Sequence, residues 1–310
     1  MKITVVMERF CDLNPKIGTT SAASNVIGSL SCTDHSFEVF YYDEYLFNNG
    51  HSIDEFLIER CRETKPDLLM VSYFPVDNHP VNIKLETFRK IKNNGTPVSF
   101  IWFDAGHPHI ERLALKCSEY NTLNVIVDVF REPKENFLAM WVPQDERLLC
   151  WQDNKSQDVC FVGSRHSYDE RRKYLSFLNG KVNLFVSGGQ REGRLTIEQY
   201  AQCLKDSKIS LNFPSKSDGT EQCKSRVYES MLCGCILMER ANNAITNWFE
   251  PMVDYIPFTD EDSLLKEIRY YLNNESERLQ IVKNGHEKMK EKYSAENWWN
   301  AVITRARSLT

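Results

Sequence analysis

Residues 221–240, EQCKSRVYESMLCGCILMER, carry the pattern that decides the fold of this 310-residue chain. The apolar spacing over 226–233 predicts a helix, which Gly234 ends because glycine tolerates the left-handed conformation past a helix C-terminus. The apolar run 235–238 then predicts a buried strand. A helix that leads through a glycine into a buried strand is typical of an α/β domain with a parallel sheet.

The same alternation extends through both halves of the chain. Apolar runs predict further strands, and helical patterns lie between most of them; the strand segments are 2–7, 37–42, 67–74, 97–103, 123–129, 137–143, 158–164, 182–187 and 209–213. A polar stretch at 152–158 interrupts the alternation. We therefore predict an α/β protein with two Rossmann-like lobes facing across a cleft, 1–150 and 151–292, followed by a C-terminal helix at 293–310.

Composition excludes several classes of protein. Hydrophobic residues make up 42% and charged residues 26% of the chain, which is ordinary for a globular protein. No stretch approaches the roughly 18 apolar residues of a membrane-spanning helix. The ten cysteines show no C-x-x-C spacing, and 2–7 reads as a strand rather than a signal peptide, so we expect reduced thiols in a cytoplasmic protein. The net charge of −5 argues against a large nucleic-acid surface.

Charged residues gather at the start of the 226–233 helix. Backbone N–H groups at a helix N-terminus suit a diphosphate, and Lys224 and Arg226 add full positive charges there. Glu229, further into the helix, can accept both hydroxyls of a ribose. Seven residues separate it from Glu221. This group predicts a nucleotide-binding site, although a glutamate near a helix start is also common as a solvated charge.

This arrangement resembles the retaining GT-B glycosyltransferases, whose E-x7-E signature lies in the C-terminal domain. The segment YESMLCGCIL at 228–237 is similar to their helix end and following strand. Further segments look like the subgroup of spore-maturation-protein-like glycosyltransferases: FVGS at 161–164, QYA at 199–201, SKISLN at 207–212 and IRYYL at 268–272. The resemblance covers about residues 158–300 and is only architectural over 1–150.

The resemblance implies a division of labour between the lobes. The second lobe would bind a nucleotide-sugar donor, with a UDP-linked sugar among the candidates. The first lobe would present the acceptor, and the helix at 293–310 would return toward it. In the family, the glutamate matching Glu229 holds the donor ribose and the one matching Glu221 faces the donor sugar. Here Gln222-Cys223-Lys224 replaces the usual Gly-Phe-Gly, which leaves the role of Glu221, and with it retention, open.

Two loops in the second lobe supply further candidate donor contacts. Gly163, Ser164 and Arg165 follow its first strand, and Gly188 follows the next. Glycine allows a ligand to approach the backbone closely, and arginine suits phosphate. Plain turns and a solvated arginine are the alternative interpretations.

The first lobe contains two candidate groups. Gly18 and Thr19 precede a predicted helix and could close over the donor phosphate or the acceptor. Asp104 and His107 follow a buried strand, where a general base or an acceptor-orienting pair would belong, although Asp104 could simply cap a turn. His107 and His109 could chelate a metal, but they lack further ligands, so we predict no metal site.

These observations lead to the hypothesis of a hexosyl- or pentosyltransferase. Lys224, Arg226 and the helix N-terminus would stabilise the departing nucleoside diphosphate, so the enzyme would be metal-independent, with no cofactor besides its donor substrate. The acceptor stays open among glycans, lipid-linked sugars, small molecules and modified nucleic-acid bases. The alternatives are a nucleotide-sugar epimerase on the same scaffold and a non-catalytic nucleotide-sugar-binding protein.

Overall fold

The computed structural model describes residues 1–127, 129, 132–164, 169–188, 195–215 and 221–310. The chain divides into two compact units. The N-unit comprises Met1–Asp145 and Ala295–Thr310, and the C-unit comprises Glu146–Ser294. Both are α/β units with parallel sheets, as predicted.

The N-unit contains a six-stranded parallel sheet. Its strands are β1 (Lys2–Met7), β2 (Ser36–Tyr41), β3 (Leu68–Ser72), β4 (Val98–Trp102), β5 (Leu123–Val127) and β6 (Phe137–Met140). They lie in the order β2-β1-β3-β4-β5-β6, so the direction of winding reverses between β1 and β3. The helices between these strands are α1 (Ser21–Leu30), α2 (Tyr42–Asn49), α3 (Asp54–Thr64), α4 (Leu85–Asn93) and α5 (Pro108–Cys117).

The C-unit contains a five-stranded parallel sheet. Its strands are β7 (Gln157–Val162), β8 (Leu184–Ser187), β9 (Ser207–Asn212), β10 (Ile236–Arg240) and β11 (Ile256–Phe258). They lie in the order β11-β10-β9-β7-β8, so the reversal falls between β7 and β9. Its helices are α6 (Asp169–Leu178), α7 (Ile197–Asp206), α8 (Ser225–Leu232), α9 (Glu261–Asn273) and α10 (Glu275–Lys292).

The last helix, α11 (Ala295–Ser308), packs on the N-unit. The indole Nε1 of Trp298 donates to the backbone oxygen of Trp141 at 2.8 Å, and Nε1 of Trp299 donates to Ser29 Oγ at 3.1 Å. Both tryptophan side chains are fully buried. A buried Trp usually finds a partner for its N–H, so these two bonds fix the position of α11 on the unit.

The cores follow from the apolar strands. Every residue of β3, β4 and β5 is buried, as expected for strands covered by helices on both faces. In the N-unit, Phe100 stacks on Tyr73 and meets Phe88 edge-to-face. Burying each such side chain contributes about 1.5–3 kcal/mol, so these contacts stabilise the core of the N-unit.

Some elements differ from the sequence-based expectation. Helix α4, which lies between the predicted strands 67–74 and 97–103, begins only at Leu85, because Lys84 is extended and its N–H donates to Asp54 Oδ1 at 2.9 Å. Helices α2, α9 and α10 and strand β11 were not predicted. Among the described residues, no helix is long and apolar enough to cross a membrane.

Candidate active site

The candidate site lies where strands β7, β8 and β9 of the C-unit end. Gly163 follows β7, Gly188 follows β8, and Asn212 is the last residue of β9. Parallel strands bring their carboxyl ends to the same sheet edge, and ligands of open α/β sheets bind there, at the reversal of strand order. Helix α8, which begins at Ser225, follows β9 and carries Arg226 and Glu229.

The Arg226 side chain is held rigidly at this edge. It is 9% exposed; its Nε donates to the Val162 backbone oxygen at 2.9 Å and its Nη1 to Asn212 Oδ1 at 2.6 Å. The guanidinium carbon lies 4.8 Å from the centre of the Phe161 ring. These two bonds use two of the five guanidinium N–H groups, and no described residue accepts the others. The remaining N–H groups can therefore bind an anion.

Glycine is required at both predicted strand-end positions. A Cβ atom on Gly163 would lie less than 3.0 Å from Arg226 Nη2, and one on Gly188 would lie 2.7 Å from the Gly163 backbone nitrogen. Both glycines also have positive φ, 151° and 99°. Their absent side chains thus make room for the guanidinium and for close packing of the two strand ends.

Glu229 lies one turn after Arg226 on α8 and is 5% exposed. Its Oε2 accepts a hydrogen bond from the Tyr200 hydroxyl. Burial raises the pKa of the Glu229 carboxyl, while the Tyr200 bond and the Arg226 charge oppose this effect. No described residue donates to Oε1, so this oxygen is an available acceptor at the site.

Lys224 is the N-cap residue of α8, and its extended backbone lacks a side-chain cap bond. The side chain at position 224 therefore does not occupy any of the first-turn N–H groups of α8. The Lys224 Nζ donates to the Ser215 backbone oxygen at 3.1 Å. Lysine and helix N-terminus together concentrate positive charge beside Arg226.

Glu221 is placed differently from Glu229. It is exposed, forms an antiparallel bridge with Ser215, and pairs with Arg240, whose Nη1 lies 3.4 Å from Glu221 Oε1. Arg240 also pairs with Glu170 at 2.9 Å. The described contacts of Glu221 are thus with Arg240 rather than with Arg226.

The Ser164 backbone oxygen accepts from Arg171 Nη1 at 2.8 Å. Arg165, another predicted donor contact, lies outside the described residues.

In the N-unit, Gly18 and Thr19 lie just before α1. Gly18 has a φ of 93°, and Thr19 forms an antiparallel bridge with Phe10. The next residue, Thr20, caps α1: its Oγ1 accepts from the Ala23 N–H at 2.9 Å. The cap satisfies one of the free N–H groups that an anion would otherwise bind.

Asp104 and His107 follow β4 at the carboxyl edge of the N-unit sheet. Asp104 has a left-handed φ of 53°, and its backbone oxygen accepts from the His107 N–H at 2.9 Å. His107 is the N-cap residue of α5, with Pro108 in the first turn. The backbone turn between them keeps both residues at the edge.

Three residues that were not predicted as site residues complete the C-unit site: Tyr200, Asn212 and Glu239. Glu239 is fully buried, and its Oε2 accepts from Asn212 Nδ2 at 2.7 Å. Burial raises the pKa of Glu239 to about 8. A polar residue at the end of an otherwise apolar strand is the signal that could have identified Asn212 and Glu239.

A further residue that was not predicted from the sequence lies in the N-unit. Glu8 directly follows β1, beside the reversal of strand order, and its Oε2 accepts from Tyr42 Oη at 2.7 Å and from Ser72 Oγ at 3.1 Å. Burial raises the pKa of Glu8, and the nearby Asp43 charge adds to the effect. The signal in the sequence is a carboxylate immediately after the first strand.

Sequence comparison assigns the family. The family model described as "Glycosyl transferase-like" matches residues 147–304, slightly more than half of the chain. The chain belongs to this glycosyltransferase family. A search among curated proteins finds no match.

Solved structures agree on the fold of this glycosyltransferase. HepE of Anabaena in complex with UDP is 12% identical with a TM-score of 0.60, over 98% of this chain and 99% of that one. Sucrose-phosphate synthase of Thermosynechococcus elongatus is 10% identical with a TM-score of 0.57, over 100% and 98%. AviGT4, a glycosyltransferase involved in avilamycin A biosynthesis, is 11% identical with a TM-score of 0.57, over 99% and 97%. The fold is GT-B, as predicted.

Proposed function

We propose that the C-unit binds a UDP-linked sugar and that the enzyme transfers this sugar, a hexose or pentose, to an acceptor held by the N-unit. The observation that carries the proposal is the Arg226 guanidinium at the sheet edge, which is buried, fixed by Val162 and Asn212, and has N–H groups that no described residue accepts. HepE, which shares the fold, has been solved with UDP and with UDP-glucose, which supports the choice of nucleotide.

Each proposed role follows from the chemistry of the side chain. Arg226, Lys224 and the N-terminus of α8 bind the diphosphate and stabilise the charge that develops as it departs. Because this charge is supplied by the protein, we propose transfer without a metal ion. Glu229 Oε1 accepts a ribose hydroxyl, and Tyr200 holds the carboxylate in place.

For stereochemistry we propose retention, on the strength of the E-x7-E spacing of Glu221 and Glu229 and the resemblance to the spore-maturation-protein-like subgroup. In this mechanism the departing phosphate takes the acceptor proton. Asp104 and His107 would then orient the acceptor rather than act as an indispensable base. Gly18 and Thr19 are proposed to contact the acceptor or the donor phosphate.

The proposal is tested first by calorimetric titration of the protein with UDP. Arg226→Lys keeps the charge but loses the planar fork, so the affinity should fall at least about 10-fold. The matched control is Arg278→Lys, which alters a second buried arginine of the C-unit, one that bonds to Tyr271 and Glu275 on α9 and α10. Equal affinity of wild type and Arg226→Lys, or no binding of UDP by the wild type, would contradict the proposed site.

The reaction itself is tested by incubation with UDP-sugars and a panel of acceptors, with and without a metal chelator. A transferase releases UDP and forms a glycosylated acceptor, in either condition if no metal is needed. An epimerase would convert the sugar without releasing UDP, and a binding protein would do neither.

A further inference from the structure

We propose that Glu239 is the positioning residue for Arg226, and that binding of a nucleoside diphosphate at Arg226 is coupled to the uptake of a proton by Glu239. The inference rests on the proposed nucleotide site. It assigns a role to a buried carboxyl group that the proposed transfer reaction does not use.

The two charged groups are connected through one amide. Arg226 Nη1 donates to Asn212 Oδ1 at 2.6 Å, and Asn212 Nδ2 donates to Glu239 Oε2 at 2.7 Å. Asn212 and Glu239 are both fully buried. When Glu239 is ionised, its negative charge stabilises the guanidinium and its orientation in this low-dielectric setting.

The hydrogen bonds allow only one arrangement of the amides. The Asn212 oxygen is occupied by Arg226, so its NH2 group must face Glu239. Asn242 is fixed in the same way: its Oδ1 accepts from the Ala244 and Ile245 N–H groups at 2.9 and 3.1 Å, and its Nδ2 donates to Glu239 Oε1 at 3.0 Å. Both carboxyl oxygens therefore accept from N–H groups, which favours the ionised form.

Burial opposes the effect of these hydrogen bonds on the pKa of Glu239. It is the largest effect and raises the pKa of Glu239 to about 8, while Asn212, Asn242, Arg226 and Lys224 lower it. Among the described residues, Tyr255 also interacts electrostatically with Glu239, and burial raises the pKa of Tyr255 further above its ordinary value of 10.0. Tyr255 is thus neutral near pH 8, and Glu239 is the group of this cluster that changes charge there.

A bound diphosphate shifts this balance. Its negative charge offsets the guanidinium charge that stabilises the Glu239 carboxylate, so the pKa of Glu239 rises. The Glu239 carboxylate then takes a proton from the buffer acid, which becomes its conjugate base. The terminal phosphate of UDP, with a second pKa of about 6, is already ionised at pH 8 and does not obscure the exchange.

The expected size of the effect follows from linkage. If the pKa of Glu239 rises from about 8 to about 9, binding at pH 8 takes up about 0.4 proton, and the affinity is about fivefold weaker at pH 9 than at pH 7. The experiment titrates the whole protein with UDP by calorimetry in two buffers of different ionisation enthalpy. The dependence of the observed enthalpy on the buffer gives the number of protons exchanged.

Two variants test the assignment to Glu239. Glu239→Gln should abolish the proton uptake and make the affinity independent of pH between 7 and 9. Asn242→Asp keeps an oxygen for the Ala244 and Ile245 N–H groups but places a negative charge beside Glu239, so the uptake should move to higher pH. The matched control is Asp254→Asn, which removes a buried carboxylate of the same unit that pairs with Lys288 at 2.6 Å and should leave the uptake unchanged.

The possible outcomes separate the two proposals. Binding of UDP without proton uptake at pH 8 would overturn the coupling and leave the nucleotide site standing. Proton uptake by Glu239→Gln equal to that of the wild type would also overturn the coupling, because the proton would then bind to another group. Should Glu239→Gln fail to fold, the wild-type pH series and Asn242→Asp still decide, since an unshifted uptake in Asn242→Asp contradicts the role of Glu239. Absence of any UDP binding would overturn both proposals.

Discussion

Substitution of Gly163 by alanine tests the packing at the centre of the site. The new Cβ would lie less than 3.0 Å from Arg226 Nη2, so the guanidinium must move by roughly 1 Å to reach a normal contact. Such a shift breaks the bonds of 2.9 and 2.6 Å that Arg226 makes to Val162 and Asn212. A hydrogen bond involving a charged group contributes about 1.5–3 kcal/mol, so we expect a loss of unfolding free energy of about 3 kcal/mol or more.

The matched control is Gly180→Ala. Gly180 also has a positive φ, 73°, but a Cβ there would meet nothing within 4 Å. It therefore measures an alanine at a positive φ without a steric clash, which costs about 1–2 kcal/mol for a left-handed residue. The assay is urea unfolding of both variants, with UDP titration of each that folds.

Equal stability of the two variants would refute this account of Gly163. A double variant adds a second check: the Gly163→Ala substitution should cost less in an Arg226→Ala background than in the wild type, because the clashing group is gone.

Three further predictions concern other groups of the two units. The folded-state pKa of Glu239, about 8, exceeds its ordinary value of 4.5, so the contribution of Glu239 to the unfolding free energy should be largest below pH 4.5 and fall by at most about 1.4 kcal/mol per unit as pH rises to 8; an identical pH dependence of the denaturation midpoints of wild type and Glu239→Gln would contradict the burial effect. Tyr200→Phe leaves Glu229 Oε2 without its donor and should cost about 1.5–3 kcal/mol in urea unfolding, whereas an unchanged midpoint would show that the bond does not hold the carboxylate. If transfer proceeds with retention, NMR of the product should show the donor's anomeric configuration, and Asp104→Asn should slow the reaction only modestly while Arg226→Ala costs about 100-fold or more; an inverted product with an inactive Asp104→Asn enzyme would overturn retention.

The fold could be predicted because its signals are local. Each buried strand is an apolar run, and Gly234, with a φ of 72°, ends α8 close to the predicted position. The elements that escaped prediction have weaker signals. Helix α2, YDEYLFNN, begins directly where β2 ends, without a turn residue to separate the two. Strand β11 is only three residues long.

The site could be predicted only in part, because its connections are made in three dimensions. Arg226 and Glu229 share one helix, so their spacing in the sequence indicated a common site. Tyr200 lies 29 residues from Glu229, and Glu239 lies 27 residues from Asn212, and no periodicity links such pairs. The pairing of Glu221 with Arg240 likewise depends on the tertiary structure.

The position of α11 has a consequence for synthesis of the protein. The N-unit is formed by the first 145 residues and the last 16, so the ribosome completes all of Glu146–Ser294 before Trp298 and Trp299 exist. At about 5–20 residues per second, this interval lasts roughly 7 to 30 s. During that time the surface around Ser29 and Trp141 lacks its cover. The nascent chain therefore exposes the apolar face that the two indoles later cover, and chaperones that bind apolar surface can occupy this face. The C-unit is the first part able to finish folding.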